Sequence, residues 1–300
     1  MNFIDKMIMA IDPQKGLKRY EARKKLEILN TGYSNHGAST TKKSMVGWQS
    51  TGGGVKKDIY KNRKKLVERS RDLYMGVSVA TGALKTINTN VIGSGLKLKS
   101  DIDSEIIGIS EEEAEKIENL IEKEFRLWSK DKIDNLGTMN FYQLQDLVFL
   151  TTLLNGECFI HLNYFETPNN PYALKLSVVE PDRVNTPSSK SGDNSVVSGV
   201  QFDKNGRIDG YYIQDQNPND ELRGVNNHEY IKTYGDEGQL KVLHLMTAER
   251  PGQVRGVPLL APVTMALMMP LRCLLNIKTT PLISSMLYCK ASAIQSPNIP

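Results

Sequence analysis

Apolar positions recur at helical spacing in the first half of the chain and alternate with polar ones through much of the second. The stretch from about 3 to 29 predicts helix, interrupted near Pro13. Its second half, GLKRYEARKKLEIL, sets Leu17, Tyr20, Leu26 and Leu29 among basic residues, a pattern suited to lying on a partner or a neighbouring subunit. Residues 31–57 are rich in Gly, Ser and Thr and read as a linker or extended arm, docked through Trp48. A helix over 59–90 follows, with Leu66, Leu73, Val77, Ala80, Leu84, Ile87 and Val91 on one face and Gly93 and Gly95 ending it. Ser110 with Glu113 makes a capping box that opens a helix with Ala114, Ile117, Ile121 and Trp128 inward. Its glutamates crowd the early turns, where the helix dipole favours them. A third helix, 141–154, is expected to end at Asn155-Gly156.

The period then shortens. ECFIHLNYF, YALKLSVVE, VVSGVQFD, RIDGYYIQ and QLKVLHLM read as strands of a mostly antiparallel β module. Asn205-Gly206, between two of them, is a hairpin signal because both residues accept positive φ. After TAERPGQVRGVP the pattern turns helical again from about 259, with Pro270 and Pro281 expected to kink or break that helix. The expected fold class is α+β. Its expected divisions are a basic arm and linker (1–58), a helical region (59–156), a β-rich module (157–250) and a further helical segment (251–300).

Hydrophobic residues at 39% and charged residues at 24% fit a soluble globular protein. No apolar run nears the roughly 18 residues that span a bilayer, and the opening MNFIDKMIMAIDPQKG is too short and too acidic for a secretory signal. The expectation is therefore a cytoplasmic protein without membrane contact. The net charge of +4 hides a division. Residues 1–100 hold 20 Lys and Arg against 7 Asp and Glu, a surplus of +13, and the remainder carries −9. A basic arm on a mildly acidic body suits contact with a polyanion or an acidic surface, or simply a solvated arm.

The cysteines Cys158, Cys273 and Cys289 form no CxxC pair, and the four histidines have no metal-binding spacing, so no disulfide framework, metal or cofactor is expected. No GxxxxGK[ST] loop occurs, which argues against an ATP-driven motor, and no GxSxG nucleophile elbow is present. Glu180-Pro181-Asp182, ahead of a hairpin carrying Asp203 and Lys204, faintly resembles the acidic pair and lysine of magnesium-dependent nucleases. Turn and hairpin carboxylates account for the same residues more simply, since adjacent Asp203 and Lys204 on a strand would point to opposite faces. A magnesium-dependent DNA nuclease or a DNA-binding module remains the alternative reading.

A succession of motifs carries more weight than any of these features. RSRDLYMGVSVATGALKTINTNVIGSGLKLK (69–99), EKEFRLWSKD (122–131), NGECFI (155–160), VEPDRV (179–184), GVQFDKNGRIDGYYI (199–213) and HLMTAERPGQVRGVPLLAPV (244–263) follow one another in the order and spacing of one family. With the basic opening segment, the chain resembles the lambda-type phage portal proteins along essentially all of its length.

That resemblance implies a non-enzymatic subunit of a ring, usually of twelve, at one capsid vertex. The ring docks the terminase large subunit, contacts capsid and scaffold proteins and the head–tail adaptor, and passes double-stranded DNA. It implies a virion location, with assembly in the host cytoplasm. Relatives continue well beyond the position of Pro300, so the chain is expected to be an N-terminal part or a truncated product. Within this reading Lys56, Lys57, Lys61, Arg63, Lys64 and Lys65 are candidates for nucleic-acid or capsid contact, and Trp48 and Arg255 for a subunit interface.

Overall fold

The structure, a computed structural model, describes residues 3–29, 52–166, 171–218, 227–264 and 266–267. Two compact units divide the chain, Met1–Gly52 and Gly53–Pro300. The first contains helices α1 (Phe3–Ile11) and α2 (Pro13–Leu29). Asp12 separates them, and its Oδ1 accepts the Lys15 N–H (3.1 Å) at the start of α2. Gly16 is buried, and a Cβ there would stand 2.5 Å from Met9 Cα, so the closeness of the two helices requires glycine.

The second unit opens on a π-helical turn (Lys56–Tyr60) that runs into α3 (Lys61–Gly76) and then α4 (Ser78–Ile92). The single helix expected over 59–90 is thus two. Val77 is extended (φ −119°, ψ 104°), directly after Gly76, a weak helix former. The break frees carbonyls, and the Thr81 hydroxyl donates to those of Tyr74 and Val77. The change of direction also rotates the buried face. Val67, Leu73, Ala80, Leu84 and Ile92 are buried, whereas Leu66 is half-buried and Val91 exposed.

Helices α5 (Ser104–Ile107), α6 (Glu111–Lys130) and α7 (Phe141–Asn155) follow. The Ser110–Glu113 capping box is present at α6, and a second one, Asn140 with Gln143, opens α7. Gly156, at φ 84°, ends α7 at the expected place. Ala114 and Trp128 face inward as expected, but Ile117 and Ile121 are 42% and 41% exposed.

Two antiparallel sheets complete the unit. The first has the order β2-β1-β7 (β1 Glu157–Tyr164, β2 Leu174–Val179, β7 Val242–Met246). The second runs β3-β4-β5-β6 (β3 Val196–Val197, β4 Val200–Phe202, β5 Ile208–Gln214, β6 His228–Lys232). Strand β6 carries only one buried residue, Ile231, among polar neighbours, a sheet-edge composition that gives no clear alternation in sequence.

The hairpin around Asn205-Gly206 forms between β4 and β5, but only Gly206 has positive φ (78°). Asp203 Oδ1 instead accepts the Asn205 and Arg207 N–H groups and shapes a longer loop. The two-residue turn with both φ positive lies at Ser198-Gly199, between β3 and β4 (φ 50° and 86°).

Alternation along β1 determines how the layers meet. Phe159 joins Val179, Val200, Tyr211, Ile213, Ile231 and Val242 in a core shared by the two sheets. Cys158 and Ile160 face the other way, towards Trp128, Leu144 and Val148 of α6 and α7. A third cluster, Leu73, Ala80, Leu84 and Leu260, packs against the opposite side of α7 through Leu150, Leu153 and Leu154. Beyond the 3-10 turn Ala261–Val263, the expected last helix with Pro270 and Pro281 lies outside the described residues.

Candidate functional site

Glu157 opens β1 on the same face as Phe159, which buries its carboxylate between the helices and the two sheets. Such burial is tolerated only with matching donors. Arg63 Nη2 of α3 lies 2.5 Å from Oε1. Arg255 Nε donates to both oxygens (2.8 and 3.1 Å), and its Nη2 is 2.7 Å from Oε1. His244 Nε2 of β7 lies 3.1 Å from Oε2, and the Gly256 N–H donates to the same oxygen at 2.8 Å. His244 in turn stacks on Phe159, with centroids 4.1 Å apart at 14°.

Arg255 is only 1% exposed and spends its remaining donors on backbone. Nη1 reaches the carbonyls of Val184 (2.7 Å) and Ser198, and Nη2 that of Pro181 (2.8 Å). The carbonyl it holds at Ser198 belongs to the two-residue turn whose first member is a non-glycine at positive φ. One guanidinium therefore ties the Glu157 strand to the second sheet and to the 3-10 turn Pro181–Arg183. A neighbouring fork repeats the motif. Arg71, two turns further along α3, donates to Asn155 Oδ1 (2.8 Å) and Asp182 (2.7 Å) and pairs with Glu180 (3.0 Å).

The electrostatics follow from burial against charge. Desolvation alone raises the Glu157 pKa, but the Arg255 charge, the His244 hydrogen bond and Arg63 outweigh it and hold the carboxyl well below the usual range. Arg63 is pushed down to about 10, chiefly by burial and then by Arg255. The Cys158 thiol rises to about 12 through burial and the adjacent Glu157 charge, which leaves it unreactive. A carboxylate saturated by donors and held ionised is a poor proton acceptor; the cluster joins elements. Its folded pKa lies below the ordinary 4.5, so its stabilisation is complete above that value and is lost as pH falls towards the folded pKa. Thermal midpoints measured from pH 7 to 3 should fall below about 4.5 in the parent, with a shallower fall in Glu157→Gln.

The sequence-derived candidates separate into two groups. Lys56, Lys57, Lys61, Lys64 and Lys65 are exposed at the start of the second unit, with Lys65 paired to Glu68 at 2.9 Å. Arg63 is not among them on the surface. It is 8% exposed and belongs to the Glu157 cluster, because it sits one helical turn from Val67 on the buried face of α3. Arg255, expected at a subunit interface, is likewise a core residue of its own chain. Trp48 lies outside the described residues.

The nuclease-like acids are not assembled as such a site would need. Asp182 pairs with Arg71, Asp203 shapes its hairpin loop, and Lys204 is exposed. Among the described residues no group of three or more His, Cys, Asp or Glu side chains is placed to hold a metal ion. The buried centre that sequence reasoning missed is Glu157. Its signal was an acid opening the otherwise apolar ECFI strand.

Comparison with known proteins finds one family over most of the chain. The family described as phage portal protein, lambda family, matches residues 41–274, which include Arg63, Glu157, His244 and Arg255. The chain is 26% identical over 212 residues to a probable portal protein of Halomonas phage phiHAP-1, covering 69% of this chain and 39% of that one. It is 22% identical over 193 residues to portal protein B of Escherichia phage lambda, covering 63% and 36%. To the portal protein of Escherichia phage N15 it is 22% identical over 215 residues, covering 70% and 40%. The chain thus spans about two fifths of the length of these relatives. Among solved structures it is similar to a chain in the virion of a native gene transfer agent particle (12% identity, 79% of this chain and 46% of that chain, TM-score 0.42). It is also similar to one in the neck of an empty gene transfer agent particle (14% identity, 87% and 54%, TM-score 0.40). The family match over most of the length, with the buried cluster inside it, places this α+β chain in the lambda family of phage portal proteins.

Proposed function

We propose that the chain serves as a portal subunit: one copy in a ring, of about twelve, at a single capsid vertex. DNA enters through that ring under a terminase and later leaves through it. The observation that carries the reading is the family match over residues 41–274. On this reading the protein is structural. Its proposed partners are further copies of itself, terminase, capsid and scaffold proteins, a head–tail adaptor and the passing DNA, in the virion and, during assembly, in host cytoplasm.

A conduit must let DNA slide, and each phosphate neutralised by Lys or Arg adds salt-sensitive affinity that would resist sliding. Residues 101–300, which carry a net negative charge, suit a channel wall or flank that does not grip. The exposed Lys56, Lys57, Lys61, Lys64 and Lys65 are the proposed contacts to capsid or nucleic acid.

Gold-labelled antibody to this chain should mark one vertex per particle. Label on all vertices, or on none, would overturn the proposal. Reversing the five lysine charges should leave the fold intact and lower incorporation or the DNA retained per particle. Unchanged particles would remove these lysines from the account.

A further inference from the structure

Three of the exposed lysines border pockets rather than bare surface. Two pockets, of about 400 and 500 Å³, adjoin one another and share Thr186 and Ser198 in their walls. The first is lined by Lys56, Lys61 and Lys190, and the second by Arg63, Lys64 and Arg255. Among the described residues, the only acids lining either one are Asp193 and Asp182.

Both acids are already engaged. Asp182 pairs with Arg71 at 2.7 Å. Asp193 accepts the Ser195 N–H (2.9 Å) and hydroxyl (2.6 Å) and lies 3.3 Å from Lys190 Nζ. Lys56, Lys61 and Lys64 are exposed and have no ion-pair partner among the described residues. Behind the second pocket the charge is under-compensated as well. Arg63 and Arg255 share one carboxylate, Glu157, and Arg63 Nε is buried without a partner. A cleft lined by one sign of charge focuses its field on ions of the other sign. A neutral donor sits where the pockets meet. The Thr186 hydroxyl oxygen accepts the Gly199 N–H at 3.0 Å, which leaves its own proton to donate. Ammonium groups together with hydroxyl donors suit a tetrahedral oxyanion, whose oxygens accept from several directions.

We propose that this double pocket binds phosphate groups, with Lys61 and Lys64 as charged contacts and Thr186 as a neutral donor between them. The group comes either from free phosphate or from a nucleic-acid backbone. For the second source the proposal rests on the portal reading; binding of the anion itself does not.

The test uses the full 300-residue chain, with ionic strength held constant by chloride. Inorganic phosphate, followed by titration calorimetry, should bind the parent. In Lys61→Ala/Lys64→Ala the dissociation constant should rise on the order of tenfold. Lys85→Ala/Lys116→Ala removes the same charge at exposed positions that line neither pocket. Its constant should stay within about twofold of the parent. A short DNA duplex is then titrated at several chloride concentrations. With the backbone as source, the duplex binds, and Lys61→Ala/Lys64→Ala makes the salt slope shallower by about 2. Phosphate binding with no duplex binding, or with an unchanged duplex slope, would keep the site and assign it to the free anion. No phosphate binding to the parent, or equal weakening in the two double variants, would overturn the proposal.

Discussion

Glu157→Gln is expected to lower stability by about 3–5 kcal/mol, the cost of breaking a buried ion pair from one side. The amide keeps the size of the side chain but removes the charge that compensates two guanidiniums in the core. Arg255 retains its three carbonyl acceptors after the change, but an NH2 replaces one accepting oxygen. Set at the Oε2 position it faces the Gly256 N–H, and set at the Oε1 position it deprives Arg63 Nη2 of its acceptor. Arg63 Nε is already buried without a partner, so this side of the cluster has least in reserve. At roughly 2–4 °C per kcal/mol for a domain of this size, the thermal midpoint should drop by about 10 °C. Circular dichroism melts at neutral pH measure it. A midpoint within about 2 °C of the parent would mean that the cluster contributes little net stability.

The second large effect is expected at Gly156, where α7 turns into β1. The residue has φ 84°, and a Cβ added there would stand 2.2 Å from the backbone carbon of Val257. Gly256 answers from the other side, where a Cβ would stand 2.0 Å from the Gly156 carbonyl oxygen. The close contact of the two backbones lets the Gly256 N–H reach the Glu157 carboxylate. Gly156→Ala therefore combines positive-φ strain with steric overlap against backbone, about 4 kcal/mol together. Gly206→Ala provides the comparison. Its φ is 78°, but no atom lies within 4 Å of the added Cβ, so only the strain of about 1 kcal/mol should be felt. Urea midpoints of the two variants should differ widely; equal midpoints would remove the close approach from the account.

The signals in the sequence that survived folding were local ones. Strand-like runs marked β1, β2, β5 and β7, and Asn155-Gly156 marked the end of α7, because both depend on near neighbours alone. VVSGVQFD, read as one strand, is divided into β3 and β4 by the Ser198-Gly199 turn. The break at Val77 escaped notice because the apolar spacing continues across it; what decides it is Gly76 and the carbonyls that Thr81 can bond. Strand β6 escaped because an edge strand buries one residue in five. Ser198-Gly199 was passed over for Asn205-Gly206, since an Arg255 hydrogen bond to the Ser198 carbonyl helps hold a serine at positive φ, and that contact spans 57 residues.

The site itself was half legible. NGECFI and GQVRGVP both stood out as motifs, but each was read alone. An acid opening a buried strand and an arginine between Val254 and Gly256 call for each other, and their separation of 98 residues hides that. Arg63 was grouped with the surface lysines because charge runs are read by sign, whereas the helix face divides them. Its neighbours at 64 and 65 are exposed, and Arg63 is turned inward with Val67, Ser70 and Leu73. The same cluster explains why a loop arginine, well suited to forked contact with a neighbouring subunit, is instead used up within its own chain.

The claim that matters most is that these residues build a portal ring. The direct measurement is the mass of the purified 300-residue chain by light scattering, with negative-stain images of the same peak. The account predicts closed rings of about a dozen subunits around a central hole. A monomer at every concentration, with no rings in the images, would contradict it.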